Sequence, residues 1–488
     1  MDLRNCYFRH MRRPSIVSLF ACSLIALSAS GASAAGFPER NADPVVLTGS
    51  KVPSLIGQKP RHVVAFKFQA KHWKQIPVQV DERAMVDYAA VRDGNQANNR
   101  PFSHLAYTDP NTLAGPDPDP MLDGDDEIAM MAKDSGSSAA GKKGKKSPGG
   151  VFGNSRVRVK VSDPLQPKDD RYIYLFASRG KLKPSAGRSY VNYDFSLDSG
   201  DYLSTYDFSG VADNGNGPPA NTENSTVRTQ YYKQHLLARW VQDELQLKAG
   251  SATGVDILDG DKDSVFHGCG RSELTFSRGG GGFIANKSGP VRAIRSYIGA
   301  NSGTFTQQDH IYYQRDDLTN TYLRVHAGIA QISQFLDYSA AASGMTYRNS
   351  VNPTGVTIDG SQDSLTAGQA DWEQVTGAQG SASIINRVDT TLPDFQVTNF
   401  YDDGGATPVD QQCGGYADSQ TYGASGSTIN STGDNTDPTL VPGTYPTAYS
   451  LTAARTIFYS GPGAKASDAA LSSEQVDSPL VAKAHLVK

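Results

Sequence analysis

Between residues 292 and 326 the chain gathers side chains that could move a proton beside a carboxylate: Arg292, Arg295, His310, Tyr312, Arg315, Arg324 and His326. His310 and Tyr312 are two positions apart, as are Arg324 and His326, so on a strand each pair shares one face. Arginine grips a carboxylate through two parallel N–H donors, while histidine or tyrosine can take or give a proton. That is the equipment for removing the proton next to a uronic carboxylate. In this reading His310 or His326 is the base, Tyr312 the acid, and Arg292 or Arg315 the clamp. Glu273 could instead serve glycoside hydrolysis, which needs a second carboxyl at a set separation. The plain alternative is that all of these are ordinary half-exposed strand residues.

A second cluster is acidic. Asp117, Asp119, Asp123, Asp125, Asp126 and Glu127 place six carboxylates within eleven residues around Gly124. Hard oxygen ligands at a glycine turn suit a structural Ca²⁺, although the spacing is not that of a twelve-residue calcium loop. A solvated acidic loop is the alternative. Asp256, Asp259, Asp261 and Asp263 follow a calcium spacing more closely at first, but Ser264 and Gly270 stand where that loop requires Gly and Glu. Gly279 to Gly282 precede no helix, so they read as a glycine-rich hairpin and not as a phosphate cradle. The chain has no Gly-x-Ser-x-Gly elbow, His-Glu-x-x-His pair, Cys-x-x-Cys or P-loop.

The elements that would carry these residues are mostly strands. Arg156 to Val161 alternates charge with valine, and Tyr172 to Phe176 reads as its neighbour. Further strands are expected at Val63–Phe68, Ile76–Val80, Ile128–Ala132, Val291–Tyr297, His310–Tyr313, Tyr322–His326 and Thr456–Tyr459. Turn residues at short intervals favour antiparallel pairing over βα units. One segment, His235 to Leu247 (HLLARWVQDELQL), spaces Leu236, Leu237, Trp240, Val241 and Leu245 nearly as a helix does, so a helix is expected there. The breaker-rich stretch 196–223 marks a connector between an N-terminal β domain, 35–195, and a larger β-sandwich domain, 224–488. Residues 402–445 read as long loops. The fold class expected is thus mainly β: an antiparallel β-sandwich in two units with one short helix.

Composition bounds the setting. Arg9, Arg12 and Arg13, an apolar run from Ile16 to Leu27, and Ala32-Ser33-Ala34 have the order of a cleavable signal peptide over 1–34, so a secreted or periplasmic protein is expected. Cys22 follows a poor lipid-attachment box, and the apolar run is shorter than the ~20 residues that span a bilayer. Removing 1–34 takes away four arginines and Asp2, a net +3, and shifts the formal charge from −4 to about −7. An acidic chain without a basic stripe disfavours nucleic acid, and Lys142 to Lys146 reads as a solvated loop tip. Of four cysteines, Cys269 and Cys413 lie beyond the signal; an oxidising compartment would let them pair.

Three stretches, Ile76-Pro77-Val78-Gln79-Val80-Asp81-Glu82, Leu122-Asp123-Gly124-Asp125-Asp126-Glu127-Ile128 and Gly289-Pro290-Val291-Arg292-Ala293-Ile294-Arg295, are similar to motifs in secreted bacterial β-rich proteins of unassigned function. The resemblance is scattered over about residues 60–400 and carries over no catalytic residue. The second half resembles the large sandwich of galactose-mutarotase-like domains, which implies a sugar-active setting at the level of fold. The expected partner is an extracellular polysaccharide, acted on by a lyase. The alternatives are a glycoside hydrolase and a non-catalytic carbohydrate-binding or cell-surface structural protein, with Trp73, Trp240 or Trp372 stacking on sugars or filling cores.

Overall fold

The structure, a computed structural model, describes residues 40–87, 103–198, 202, 223–239, 241–265, 270–271, 282–298, 306–325, 331–392, 394–404, 421–431 and 449–487. His326, Glu273, Trp240, both candidate disulfide cysteines and the signal segment lie outside them. All described residues belong to one unit, Gly36–Lys488.

The charge–valine alternation produces the strand it suggests. Val157–Asp163 buries every second residue and pairs with Gln166–Ala177 in a five-stranded sheet ordered Val481–Leu486, Val157–Asp163, Gln166–Ala177, Val63–Gln69, His72–Ile76. Val63 and Ala65 point to one face and Val64, Phe66 and Phe68 to the other, and both faces are buried. On the first, Val159, Val161, Ile173 and Leu175 meet Val45, Leu47, Ile128 and Met130 of a three-stranded sheet built from Pro44–Thr48, Glu127–Met131 and Gln79–Asp81. On the second, Trp73 sits edge-on to Phe66, Phe68, Tyr174 and Phe176, with the Arg156 guanidinium 5.1 Å from its ring centre. Trp73 therefore fills a core, and so does the buried Trp372.

The larger part of the fold is an antiparallel nine-stranded sheet, ordered Gly282–Ser288, Ala293–Ile298, Thr306–Tyr312, Asp316–Val325, Tyr449–Ser460, Gly380–Thr390, Glu373–Gly377, Thr346–Asn349, Val356–Thr357. Against it packs a layer made of two sheets. One holds Asn192–Asp194, Ser225–Arg228, Tyr232–Ala238 and Val241–Leu247; the other holds Gly270–Arg271, Leu258–Val265, Gln331–Tyr338, Ala424–Ser431 and Phe395–Asp402. They are joined where Ile257 N–H donates to the Leu245 carbonyl at 3.0 Å. Asn192–Asp194 pairs with Ser225–Arg228 across the 196–223 stretch, and the C-terminal strand Val481–Leu486 pairs with Val157–Asp163.

The segment expected to be a helix, 235–247, is a β-hairpin. Tyr232, Gln234 and Leu236 point inward on one strand and Leu245 and Leu247 on the other, a period of two that the bulge at Leu236 and the turn at Arg239 disguise as helical spacing. The longest helix among the described residues is instead Ala466–Asp477. Its start is capped by Asp468, whose carboxylate accepts the Lys465 N–H at 2.8 Å, and its alanines pack on Trp372, Ile385 and Phe458. Small inward side chains make its apolar face faint in sequence. Lys142 to Lys145 lie on a short helical turn, Gly141–Lys145, with the lysines in solvent. No described helix is long and apolar enough to cross a membrane.

The hairpin assigns unequal roles to adjacent leucines. Leu236→Ala is expected to cost about 2–4 kcal/mol and Leu237→Ala about 1 kcal/mol, read from denaturant midpoints at constant slope. Equal losses would contradict the alternation.

Candidate functional site

Arg292 lies fully inside the protein just before the strand Ala293–Ile298. Its Nε donates to Asp81 at 2.8 Å, one Nη to Glu127 at 2.7 Å and the other to the Tyr313 hydroxyl at 3.1 Å. Glu127 also accepts from the Tyr107 hydroxyl at 2.8 Å and pairs with Arg83 at 3.0 Å. Burial alone would push the Glu127 carboxyl up, but Arg292 and Arg83 outweigh it and hold it below the usual range. Arg315 is elsewhere, paired with Asp43 at 2.9 Å, bonded to Gln475 at 3.2 Å and stacked 4.9 Å over the Phe458 ring.

His310 and Tyr312 are brought together, with near-parallel rings 5.7 Å apart, and both are buried. The His310 Nε2 is 2.8 Å from the Tyr297 hydroxyl and its Nδ1 3.2 Å from Thr319 Oγ1. Burial, then the Arg295 and Arg455 charges, push the imidazole well below its ordinary range, so it is neutral near pH 7. None of Arg292, His310, Tyr312 and Arg315 lines the groove between Asn386–Val388 and Phe395–Thr398.

The six carboxylates of the acidic run separate into three roles. Asp123, Asp125 and Asp126 bring one oxygen each within 4.8 Å of one another and are the residues that could hold a metal ion. Asp126, pushed up to about 6 by burial, accepts the backbone N–H groups of Arg83 and Asp123 at 2.9 Å each. A hydrogen bond shared with Asp123 raises Asp125. Asp117 and Asp119 instead cap turns, accepting from Asp119 N–H and Met121 N–H, while Glu127 turns toward the arginines. The second acidic stretch is not a loop: Leu258–Val265 is a strand whose Asp261 is ion-paired with the buried Arg455.

An open groove of about 570 Å³ lies where the two layers part. One wall is Asn386, Arg387 and Val388 of the nine-stranded sheet with Asp477 at the end of the C-terminal helix. The other is the edge strand, contributing Phe395, Gln396, Val397 and Thr398, and residues 368–371 close one end. Asn399 fixes that closing segment through two 2.7 Å bonds with Gly368, accepting at its side chain and donating from its backbone. Phe395 exposes 37% of its surface.

The floor is a chain of partnered polar groups. Asn386 Nδ2 donates to Glu373 Oε1 at 3.0 Å and to Ser427 Oγ at 3.1 Å, so one amide bridges both layers. Glu373 Oε2 accepts from the Tyr347 hydroxyl at 2.9 Å, which accepts from Asn349 at 3.0 Å. Burial pushes Glu373 up to about 7 against the lowering effects of Tyr347, Arg455 and Asn386. Arg387 braces the wall: it holds Asp477 bidentately at 2.9 and 2.8 Å and also reaches Ser473, the Asp371 carbonyl and the Asn386 carbonyl. A groove with a fixed amide, exposed amides and hydroxyls, and one aromatic ring is equipped to bind a polyhydroxylated chain. Sequence reasoning missed these residues because the wall joins positions 90 apart, and a polar Asn386-Arg387 pair after an apolar strand core was their only local mark.

No protein-family model matches the chain, and no curated protein matches it.

Two outcomes follow from the buried charges. Arg292→Met removes the buried cation of Asp81 and leaves Glu127 with Arg83 alone, and is expected to cost about 3–5 kcal/mol by denaturant unfolding. Glu373 is raised in the fold, so its contribution is fully present below the unfolded value of 4.5 and is lost as pH rises through about 7. Glu373→Gln should therefore be neutral at pH 4 and stabilising, on the order of 3 kcal/mol, at pH 8. An unchanged pH dependence would contradict the buried acid.

Proposed function

We propose that this chain is an exported, non-catalytic polysaccharide-binding protein whose site is the groove between Asn386–Val388 and Phe395–Thr398. The observation that carries the reading is the pre-set amide of Asn386, held from both layers in a groove that an exposed aromatic ring, Phe395, also lines. Sugar rings offer hydroxyls for amide and hydroxyl partners and an apolar face for an aromatic ring. The groove volume falls within the ~300–1,000 Å³ of ligand sites. Export rests on the basic, apolar and small-residue order of residues 1–34.

Binding is favoured over turnover because, of the groove's carboxylates, Asp371 alone is uncommitted, and hydrolysis of a glycosidic bond needs a pair. Asp477 is held ionised by Arg387, which keeps it below the usual carboxylate range, so it is a poor proton donor. Glu373 keeps its proton to higher pH, but both of its oxygens are engaged below the floor. The lyase reading takes Tyr312 as acid and His310 or His326 as base; the Tyr312 and His310 side chains are buried, and His326 lies outside the described residues.

Calorimetry against a panel of neutral and acidic polysaccharides tests this, with absorbance from unsaturated ends and reducing-sugar release followed in parallel. Binding without either product is expected, and Phe395→Ala should weaken it about fivefold to tenfold. New unsaturated ends would establish a lyase, reducing ends alone a hydrolase, and absence of binding would overturn the reading.

A further inference from the structure

Resting on that reading of the groove, we infer that the site takes neutral glycan chains and discriminates against uronate-bearing ones. Recognition of a uronic carboxylate calls for a cation with N–H donors to spare, ideally the two parallel donors of a guanidinium. The cation among the lining residues is Arg387, and every donor it has is in use. Its Nε and one Nη2 hydrogen meet the two Asp477 oxygens at 2.9 and 2.8 Å. The second Nη2 hydrogen meets Ser473 Oγ at 2.8 Å, and Nη1 serves the carbonyls of Asp371 and Asn386 at 3.1 and 2.9 Å. Five N–H groups have five acceptors, all from the protein.

The charge left over has the opposite sign. Asp371 and Asp477 both line the groove against the single Arg387, a formal lining charge of −1. Asp371 is exposed and contributes its carbonyl, not its carboxylate, to Arg387. A sugar carboxylate entering here meets a carboxylate in solvent contact and a guanidinium whose hydrogen-bonding capacity is filled, so repulsion is unopposed. A neutral chain loses nothing: the exposed Gln369 and Gln396 amides and the Thr398 hydroxyl offer donors and acceptors suited to hydroxyls.

The test uses pairs of hexasaccharides that differ only at C6, a neutral gluco-, manno- or galacto-oligosaccharide and its C6-oxidised uronate form, titrated into the full protein at low and at physiological salt. The expected result is that the uronate form binds at least about tenfold more weakly at low salt, with the gap narrowing as salt rises. Asp371→Asn, which keeps the carbonyl contact to Arg387, should raise uronate binding severalfold relative to neutral binding. Asp477→Asn should raise the same ratio by uncovering Arg387, and the Asp371 variant carries the test alone if the helix end loosens. Equal or tighter binding of the uronate form, or indifference of that ratio to Asp371→Asn, overturns the inference while the glycan site stands. Failure of every neutral and oxidised oligosaccharide to bind overturns the groove reading itself.

Discussion

A guanidinium taken out of water must find acceptors on all sides, and Arg292 finds them in three separate stretches of chain. Asp81 and Glu127 neutralise it, Tyr313 accepts from a third nitrogen, and Gln79 accepts the backbone N–H groups of Val291 and Arg292 at 3.2 and 3.1 Å. Gly289 makes the approach of Gln79 possible, since a Cβ there would lie 2.1 Å from its Oε1. The cost of leaving any of these charges unpaired is several kcal/mol, so the three-stranded sheet and the nine-stranded sheet are fixed in one relative placement. Asp81 and Glu127 fall within two of the stretches singled out in the sequence, 76–82 and 122–128, and Arg292 itself falls within the third, 289–295. Each of these stretches supplies one side of a single buried charge network.

The same requirement runs through the rest of the interior. Arg295 is held by both oxygens of Glu223 at 2.8 Å, and Gln234 donates to Asp317 at 2.9 Å and to Tyr459 at 3.0 Å. Between the nine-stranded sheet and its covering layer, Gln334 meets Thr321 and Arg455 meets Asp261. An apolar sandwich would tolerate small slips between its layers; polar partners at fixed distances do not. Asn386 carries this interior to the groove, its amide held by Glu373 and Ser427 from opposite layers. Order at the groove floor is thus inherited from the core.

Sequence pattern revealed the elements better than it revealed the site. Alternation was plain in Val157–Asp163, and the all-antiparallel β character followed from turn spacing. It failed at 235–247, where a bulge shifted the period, and at Ala466–Asp477, where alanine and serine face inward and leave little apolar contrast. His310 and Tyr312 were correctly placed on a shared face, but periodicity does not say whether that face meets solvent or a second layer. The groove was illegible for a different reason. Its walls come from positions near 370, 387, 396 and 477, and only the packing of one layer on the other brings them into register.

The helix end that forms one wall shows how far that dependence extends. The last carbonyls of a helix lack partners, and cations complement the negative end of its dipole. Here Arg40 donates to the Gln475 and Ser478 carbonyls, Arg315 to the Gln475 side chain, and Arg387 to Asp477. Arg40 and Arg315 are themselves bridged by Asp43. Three arginines from the beginning, middle and later part of the chain therefore converge on one turn of helix. Only Arg387 faces the groove, and its engagement with Asp477 both positions the wall and removes the charge that an acidic ligand would seek. The position of that wall and the occupancy of its one arginine therefore have a single cause.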